Sequence, residues 1–208
     1  MRKTLLTLAS ALLFGTAAYA QVSPWTNVNA GSVLATGLLA RQVVAVNAAT
    51  IWTVYGEPAT TANPNPLVRT VARTADGGTT WTGGVINIPA GLSIAGLTAV
   101  DANTAWVATF GGLTTQGIYK TTDGGTTWTK QGPTGSGALF STSGATDSFP
   151  NGVHFFNANN GVAFGDPVGG RFEIYTTTNG GTSWTRNNNA PASLAADEYG
   201  LVYSYYAL

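Results

Sequence analysis

The sequence predicts an all-β protein assembled from a repeated four-stranded antiparallel unit, and three observations carry that prediction. An eight-residue string occurs three times, as Thr74-Ala75-Asp76-Gly77-Gly78-Thr79-Thr80-Trp81, Thr121-Thr122-Asp123-Gly124-Gly125-Thr126-Thr127-Trp128 and Thr177-Thr178-Asn179-Gly180-Gly181-Thr182-Ser183-Trp184. A shorter signal repeats upstream of each copy, where Asn47, Asp101 and Asn157 each sit at a turn between two apolar runs. The composition suits pleated strands joined by tight turns, with 27 glycines, six tryptophans and 9% charged residues, and no sustained 3.6-residue apolar period marks a helix after the first 20 residues. A period of about fifty residues means an array, not independent domains.

Each residue type in the string has a job in a hairpin. An Asp or Asn oxygen accepts hydrogen bonds from the backbone N–H groups ahead of it, and the glycines supply positive φ without steric cost. The tryptophan packs back over its partner strand and holds the register. Each unit then runs strand A, Asx turn, strand B, loop, strand C, string turn, strand D. In the first unit (about 41–90) the strands are expected at 42–46, 50–55, 67–73 and from 80 towards 88. The second (about 95–131) places them at 97–100, 104–110, 117–121 and 127–130, and the third (about 150–187) at 152–156, 161–164, 172–176 and 183–186.

Both ends add pieces. Trp25, Trp81, Trp128 and Trp184 are separated by 56, 47 and 56 residues, so the stretch of about 22–27 reads as an outer strand D with no A, B or C before it. Residues of about 200–208 read as an inner strand A with nothing after it. Met1-Arg2-Lys3, the apolar run from Leu5 to Phe14 and the ending Ala18-Tyr19-Ala20 have the form of a secretory signal peptide over 1–20, cleaved before Gln21. The apolar run is far short of the roughly 20 residues that span a bilayer. The mature chain is therefore expected in a bacterial periplasm or outside the cell, with no membrane insertion after signal cleavage.

Nine basic and nine acidic residues give a formal net charge of zero, with no cluster that would hold nucleic acid or an anionic membrane. The absence of cysteine excludes disulfides, thiolate nucleophiles and Cys-ligated metals. No close run of acids has calcium-loop spacing, and the Gly-Gly strings lack the helix and lysine of a phosphate loop, so neither metal nor cofactor is expected.

The string resembles the Asp-box, or BNR repeat, Ser/Thr-x-Asp-x-Gly-x-Ser/Thr-Trp. That repeat is shared by sialidase-like β-propellers, sortilin-type receptors and photosystem-assembly-factor-like propellers of bacteria. The copies holding Asp76 and Asp123 match it fully, and the third has Asn179, which keeps the acceptor oxygen and loses the charge. The resemblance implies a β-propeller of four-stranded antiparallel blades, here an incomplete arc of about three blades plus parts of a fourth. It implies a structural role for Thr74, Asp76, Gly78, Trp81, Thr121, Asp123, Gly125, Trp128, Thr177, Asn179, Gly181 and Trp184, each box joining a blade's two outermost strands.

In such blades the A–B and C–D turns share one face, and the B–C and D–A loops share the other. Glu57, Asp147, Asp166, Asp197 and Glu198 are expected on the second face, with Arg41, Arg69 and Arg171. Paired carboxylates and arginines there are what glycoside chemistry needs. Resemblance to sialidases would make Glu57 and Asp166 catalytic candidates and Arg41, Arg69 and Arg171 the holders of a substrate carboxylate, but the sequence assigns no Tyr-Glu pair and lacks the Arg-Ile-Pro signature. Asp147, His154, Asp197 and Glu198 are candidates for binding. His154, the only histidine, is expected in an inner strand facing the central channel or a neighbouring blade. The Gly, Ser and Thr-rich insertion 131–147 lengthens one D–A loop, with Phe140 and Phe149 as anchors at its edges.

These features point to a secreted binding or scaffold propeller that recognises a protein or glycan through its B–C and D–A loops. The alternative is a sialidase-like glycoside hydrolase whose remaining catalytic groups lie in missing blades. Unpaired backbone at the open blade edges also predicts self-association.

Overall fold

The computed structural model of the chain describes residues 34, 36–112, 114–132, 139–140, 149–195 and 198. The leader, the outer strand expected at 22–27, the inner strand expected at 200–208, Asp147 and Asp197 lie outside them.

Twelve strands form three four-stranded antiparallel sheets, and no helix occurs among the described residues. Blade one holds β1 (Leu39–Ala45), β2 (Ile51–Gly56), β3 (Val68–Thr74) and β4 (Thr82–Val85). Blade two holds β5 (Ser93–Ala99), β6 (Ala105–Phe110), β7 (Gly117–Thr121) and β8 (Thr129–Lys130). Blade three holds β9 (Pro150–Phe155), β10 (Gly161–Val168), β11 (Arg171–Thr177) and β12 (Thr185–Arg186). Within each sheet the strands lie side by side in chain order. The predicted strand order is met throughout, with bounds shifted by a few residues, and three of the differences matter here. β4 stops at Val85, and Ile86 and Ile88 turn into the core. β5 begins at Ser93, four residues earlier than expected from the turn signal. β10 runs on to Val168 through a bulge, so Asp166 lies inside a strand and not in a loop.

The Asx turns close as their sequence requires. Asn47 Oδ1 accepts from the N–H groups of Ala49 and Thr50 at 2.9 and 2.8 Å, and Asp101 and Asn157 repeat this two and three residues ahead of themselves. Each string turn then hydrogen-bonds to the A–B turn of its own blade: Gly77 N–H to Ala49 O at 2.9 Å, Gly124 to Asn103 at 3.0 Å and Gly180 to Asn159 at 2.8 Å. These three bonds put both kinds of turn on one face and leave the B–C and D–A connections on the other.

The apolar core lies between blades. Trp52, Val54 and Val71 of blade one pack with Leu92, Ile94, Leu97, Val107, Tyr119 and Trp128 of blade two. Trp106, Ala108 and Ile118 of blade two pack with Val153, Phe155 and Ala163 of blade three, and Leu139 and Phe140 join them from the connection between the blades. A sheet this small buries its apolar side chains only by stacking on the next, which is the physical reason for the repeat.

Candidate functional site

The face opposite the string turns was expected to carry the chemistry, and its arginines are engaged in a common way. Arg69, at the start of β3, donates to Ile88 O at 2.6 Å, and Arg171, at the start of β11, donates to Ala190 O at 2.7 Å. Both carbonyls lie in the segment that follows strand D of the same blade, each 19 residues ahead of its arginine. Blade two uses Gln116 for the same purpose, its amide donating to Phe140 O at 3.0 Å. Arg41 on β1 donates to the backbone carbonyl of Glu57 at 2.8 Å. A guanidinium has five N–H donors in a rigid fork, and here the fork fastens connections.

The acids are placed differently from one another. Glu57 follows β2 and is exposed. Asp166 is half-buried at the bulge of β10, accepts from the Asn151 amide at 2.7 Å, and donates its N–H to Phe149 O at 3.0 Å. Gly56-Glu57-Pro58 and Gly165-Asp166-Pro167, which match in sequence at the end of strand B, are therefore not equivalent in placement. Glu198 accepts from the N–H of Leu194. Among the described residues no three His, Cys, Asp or Glu side chains gather in a way that could hold a metal ion.

Two concavities bear on the loop face and the inner strands. On the loop face, a crevice of about 730 Å³ between blades one and two is lined by Arg41, Gln42, Pro66, Leu67, Ser93 and Phe110, among others. Leu67 is half exposed at 47%, and Phe110 packs against Phe149 with ring centres 4.5 Å apart. Gln42 bridges the two inner strands here, its amide donating to Leu97 O at 2.9 Å and its oxygen accepting from Leu97 N–H at 2.8 Å. The second concavity, about 840 Å³, runs along the inner strands and includes Val44, Leu97, Asp101, His154, Phe156 and Asn157. His154 is exposed towards it, edge-on to Phe156 at 4.9 Å, so it faces the channel and is not a core residue.

One buried acid escaped the sequence reading. Glu173 on β11 is 5% exposed, accepts from the Tyr175 hydroxyl at 2.7 Å and lies 3.5 Å from Arg186 Nε, while its Oε2 is buried without a hydrogen-bond partner. Burial pushes its carboxyl above the ordinary range, and the Tyr175 bond and the Arg186 charge oppose that. Burial and the Glu173 contact push the Tyr175 phenol up as well. The Glu-x-Tyr spacing, which puts both side chains on one face of a strand, was the available signal. This Tyr-Glu pair faces the interior between blades two and three, where Tyr175 meets the edge of Phe140 at 5.0 Å, and none of Arg41, Arg69 and Arg171 is bonded to it.

The string turns are self-contained networks. Asp76 Oδ1 accepts from Thr74 Oγ1 at 2.8 Å and Thr80 N–H at 2.9 Å, and Oδ2 accepts from Thr80 Oγ1 at 2.6 Å. Asp123 repeats this with Thr121 and Thr127. Led by the threonine hydroxyl bonds, these contacts lower both carboxyls to about 2. In the third copy the last bond reverses, the Asn179 amide donating to Ser183 Oγ at 2.8 Å. Thr74, Thr121 and Thr177 each accept at Oγ1 from the second glycine's N–H, on Gly78, Gly125 and Gly181. In all three turns the Asp or Asn side-chain oxygens accept from donors within the turn itself.

Three four-stranded meanders stacked face to face about a common inner edge define an incomplete β-propeller, against the roughly four to eight blades of closed rings. No protein-family model matches the chain. No curated protein matches it either. Among solved structures, it is similar to YCF48 bound to D1 peptide (18% identity, TM-score 0.49, covering 77% of this chain and 43% of that one). It is also similar to YCF48 from Cyanidioschyzon merolae (20%, 0.43, 74% and 41%) and to the GH74 xyloglucanase from Xanthomonas campestris (13%, 0.43, 67% and 19%). The chain thus spans less than half the length of each of these structures.

Proposed function

We propose that the chain is a secreted, Asp-box-type binding propeller that recognises a protein or glycan ligand through the crevice on its B–C and D–A loop face. The observation that carries this reading is the crevice itself, of about 730 Å³, with exposed Leu67 at its edge, the Phe110 ring in its wall and the Arg41 guanidinium beside it. Its size is that of ordinary ligand sites, and its lining mixes apolar side chains with Arg41, Gln42, Asn65 and Ser93, polar groups of the kind that orient a ligand. The hydrolase alternative has less support, because Arg41, Arg69 and Arg171 are each committed to a backbone carbonyl.

The experiment is a binding screen of the mature chain against immobilised glycans and extended peptides, beside Leu67→Asp and a control, Val85→Asp, on exposed β4. A ligand lost with Leu67→Asp and kept with Val85→Asp supports the reading; equal loss in both, or turnover of a fluorogenic sialoside by the wild type, overturns it. Secretion is tested separately by mass spectrometry of exported protein, with Gln21 as the expected N-terminal residue.

A further inference from the structure

The two seams between blades are built alike, and they differ at the outer rim. At the second seam, between blades two and three, Lys120 on strand C lies over the Trp106 indole, with Nζ 4.9 Å from the ring centre. Gly180 O in the turn of blade three accepts from Lys120 Nζ at 3.2 Å and from Trp106 Nε1–H at 3.1 Å. Thr129 is the cross-strand partner of Lys120, and Gln131, two residues further on, lies against the second glycine of the turn: a Cβ built on Gly181 would meet Gln131 Oε1 at 3.4 Å. The cation has its acceptor, and a side chain of strand D's own end fills the rim.

At the first seam, between blades one and two, the cation is Arg73, 5.7 Å from the Trp52 ring centre and close over Gly124, where a Cβ would fall 2.8 Å from Nη2. Of its five guanidinium donors only Nη2 holds an acceptor among the described residues, Thr82 Oγ1 at 3.3 Å, and Nε is buried with no hydrogen-bond partner. No carboxylate of the described residues lies within ion-pair distance of it. Asp123, beside Gly124, keeps its oxygens on Thr121 and Thr127. Thr82 is the cross-strand partner of Arg73, so Gly84, two residues further on, stands where the second seam has Gln131. With no side chain at that position, a groove of about 360 Å³ runs between β4, from Thr82 to Val85, and the turn of blade two, from Gly124 to Thr126, with Arg73 in its wall. A half-buried cation with idle donors beside a groove is completed by an anionic acceptor.

The strand along this groove is itself open to pairing. β4 is the outer edge of its sheet and has four residues, against two in β8 and in β12. Ile86 N–H bonds Arg69 O, so strand alternation turns the N–H and C=O of Gly83 and Val85 away from β3, towards the open edge. Such an edge takes on a further extended strand through its backbone groups.

We propose that the outer rim of the first seam is a docking site for an extended acidic peptide, which pairs with β4 and sets one Asp or Glu carboxylate against the Arg73 guanidinium. Backbone pairing holds the peptide, and the single cation selects the acid. The site lies at the string-turn end of the seam and is separate from the loop-face crevice.

The probe is a fluorescein-labelled heptapeptide of alternating threonine and valine with glutamate at its centre, beside the same peptide with glutamine there. Fluorescence anisotropy is expected to show the glutamate peptide binding about tenfold more tightly, an advantage that high salt reduces. Arg73→Gln is expected to erase the advantage, and so is Thr82→Glu, which gives the guanidinium a carboxylate from its own blade. Val85→Asp is expected to weaken binding and Leu67→Asp to leave it unchanged, the reverse of the pattern at the crevice, so the two sites stand or fall separately. Methylating every second backbone nitrogen of the peptide is expected to abolish binding in one of the two possible phases. Thr82 is exposed, so Thr82→Glu decides if the Arg73→Gln protein does not fold. Equal affinity for the two peptides, no saturable binding of the glutamate peptide, or an advantage that survives in natively folded Thr82→Glu overturns the proposal. Binding retained by both methylated peptides overturns it as well, and so does trigalacturonate binding more tightly than the glutamate peptide, which would assign the groove to an acidic sugar.

Discussion

The Tyr175 hydroxyl donates to Glu173 Oε1 across 2.7 Å inside the seam between blades two and three, leaving the second carboxylate oxygen buried and unbonded. Because burial raises the folded carboxyl above its unfolded value of 4.5, the stability tied to it is full at low pH and is lost as pH rises through the folded value. Glu173→Gln keeps an acceptor for Tyr175 and removes the charge. The variant is expected to be more stable than wild type at pH 7, on the order of 1 kcal/mol, and to lose the decline that wild type shows above about pH 4.5. Urea unfolding at pH 4.5 and 8 decides, and equal pH slopes in the two proteins would refute this assignment.

Asp76 and Asp123 behave in the opposite sense. Their carboxyls are depressed from 3.8 to about 2, so the stabilisation they provide is present above about pH 4 and fades as pH falls through 2. Asn179 has no such transition. Asp76→Asn/Asp123→Asn should flatten the acid limb of unfolding between pH 4 and 1.5, and Asn179→Asp should steepen it. Circular dichroism at fixed temperature across that range measures both.

Trp106 is fully buried, stacks on Phe155 with centres 3.6 Å apart, and satisfies Gly180 O. Its replacement by alanine is expected to cost about 3–5 kcal/mol, and Lys120→Met, which keeps most of the side chain and loses the bond to Gly180, about 1 kcal/mol. Double-mutant analysis should give less than the sum, since both act on one carbonyl.

Gly165 is set by close approach. A Cβ there would lie 2.5 Å from Phe149 O and 2.7 Å from Phe140 Cε1, and Phe140 is fully buried at a φ of 55°. Gly165→Ala is expected to destabilise by about 1–3 kcal/mol, and Phe140→Leu in the same chain should recover only part, because the Phe149 backbone stays in place. Thermal melts of the three proteins give the comparison.

The repeat made the blades readable because a tight turn constrains its own few residues. Asp76, Gly77 and Gly78 state their geometry locally, and with Asn47, Asp101 and Asn157 in phase they fix strand order and the two faces. The expected anchor at Phe140 was legible for a related reason, an aromatic at the rim of a polar insertion. Arg69 and Arg171 were not legible, because each bonds a carbonyl 19 residues away and no charged partner advertises that contact. Asp166 read as a loop acid because a bulge, unlike a turn, has no strict residue requirement. Glu173 hid for a third reason: its surroundings come from Phe140, which reaches the seam from the connection between blades two and three.

Gln116 holds Phe140 across 24 residues where Arg69 and Arg171 hold their carbonyls across 19. The latch on the chain is thus kept while the length of tether before it varies. A blade seam fastened in this way sees only the latch, so residues added between Gly132 and Leu139 should be invisible to it. That makes the second connection a natural port for cargo: a reporter peptide spliced there is expected to leave the stacking of blades two and three intact.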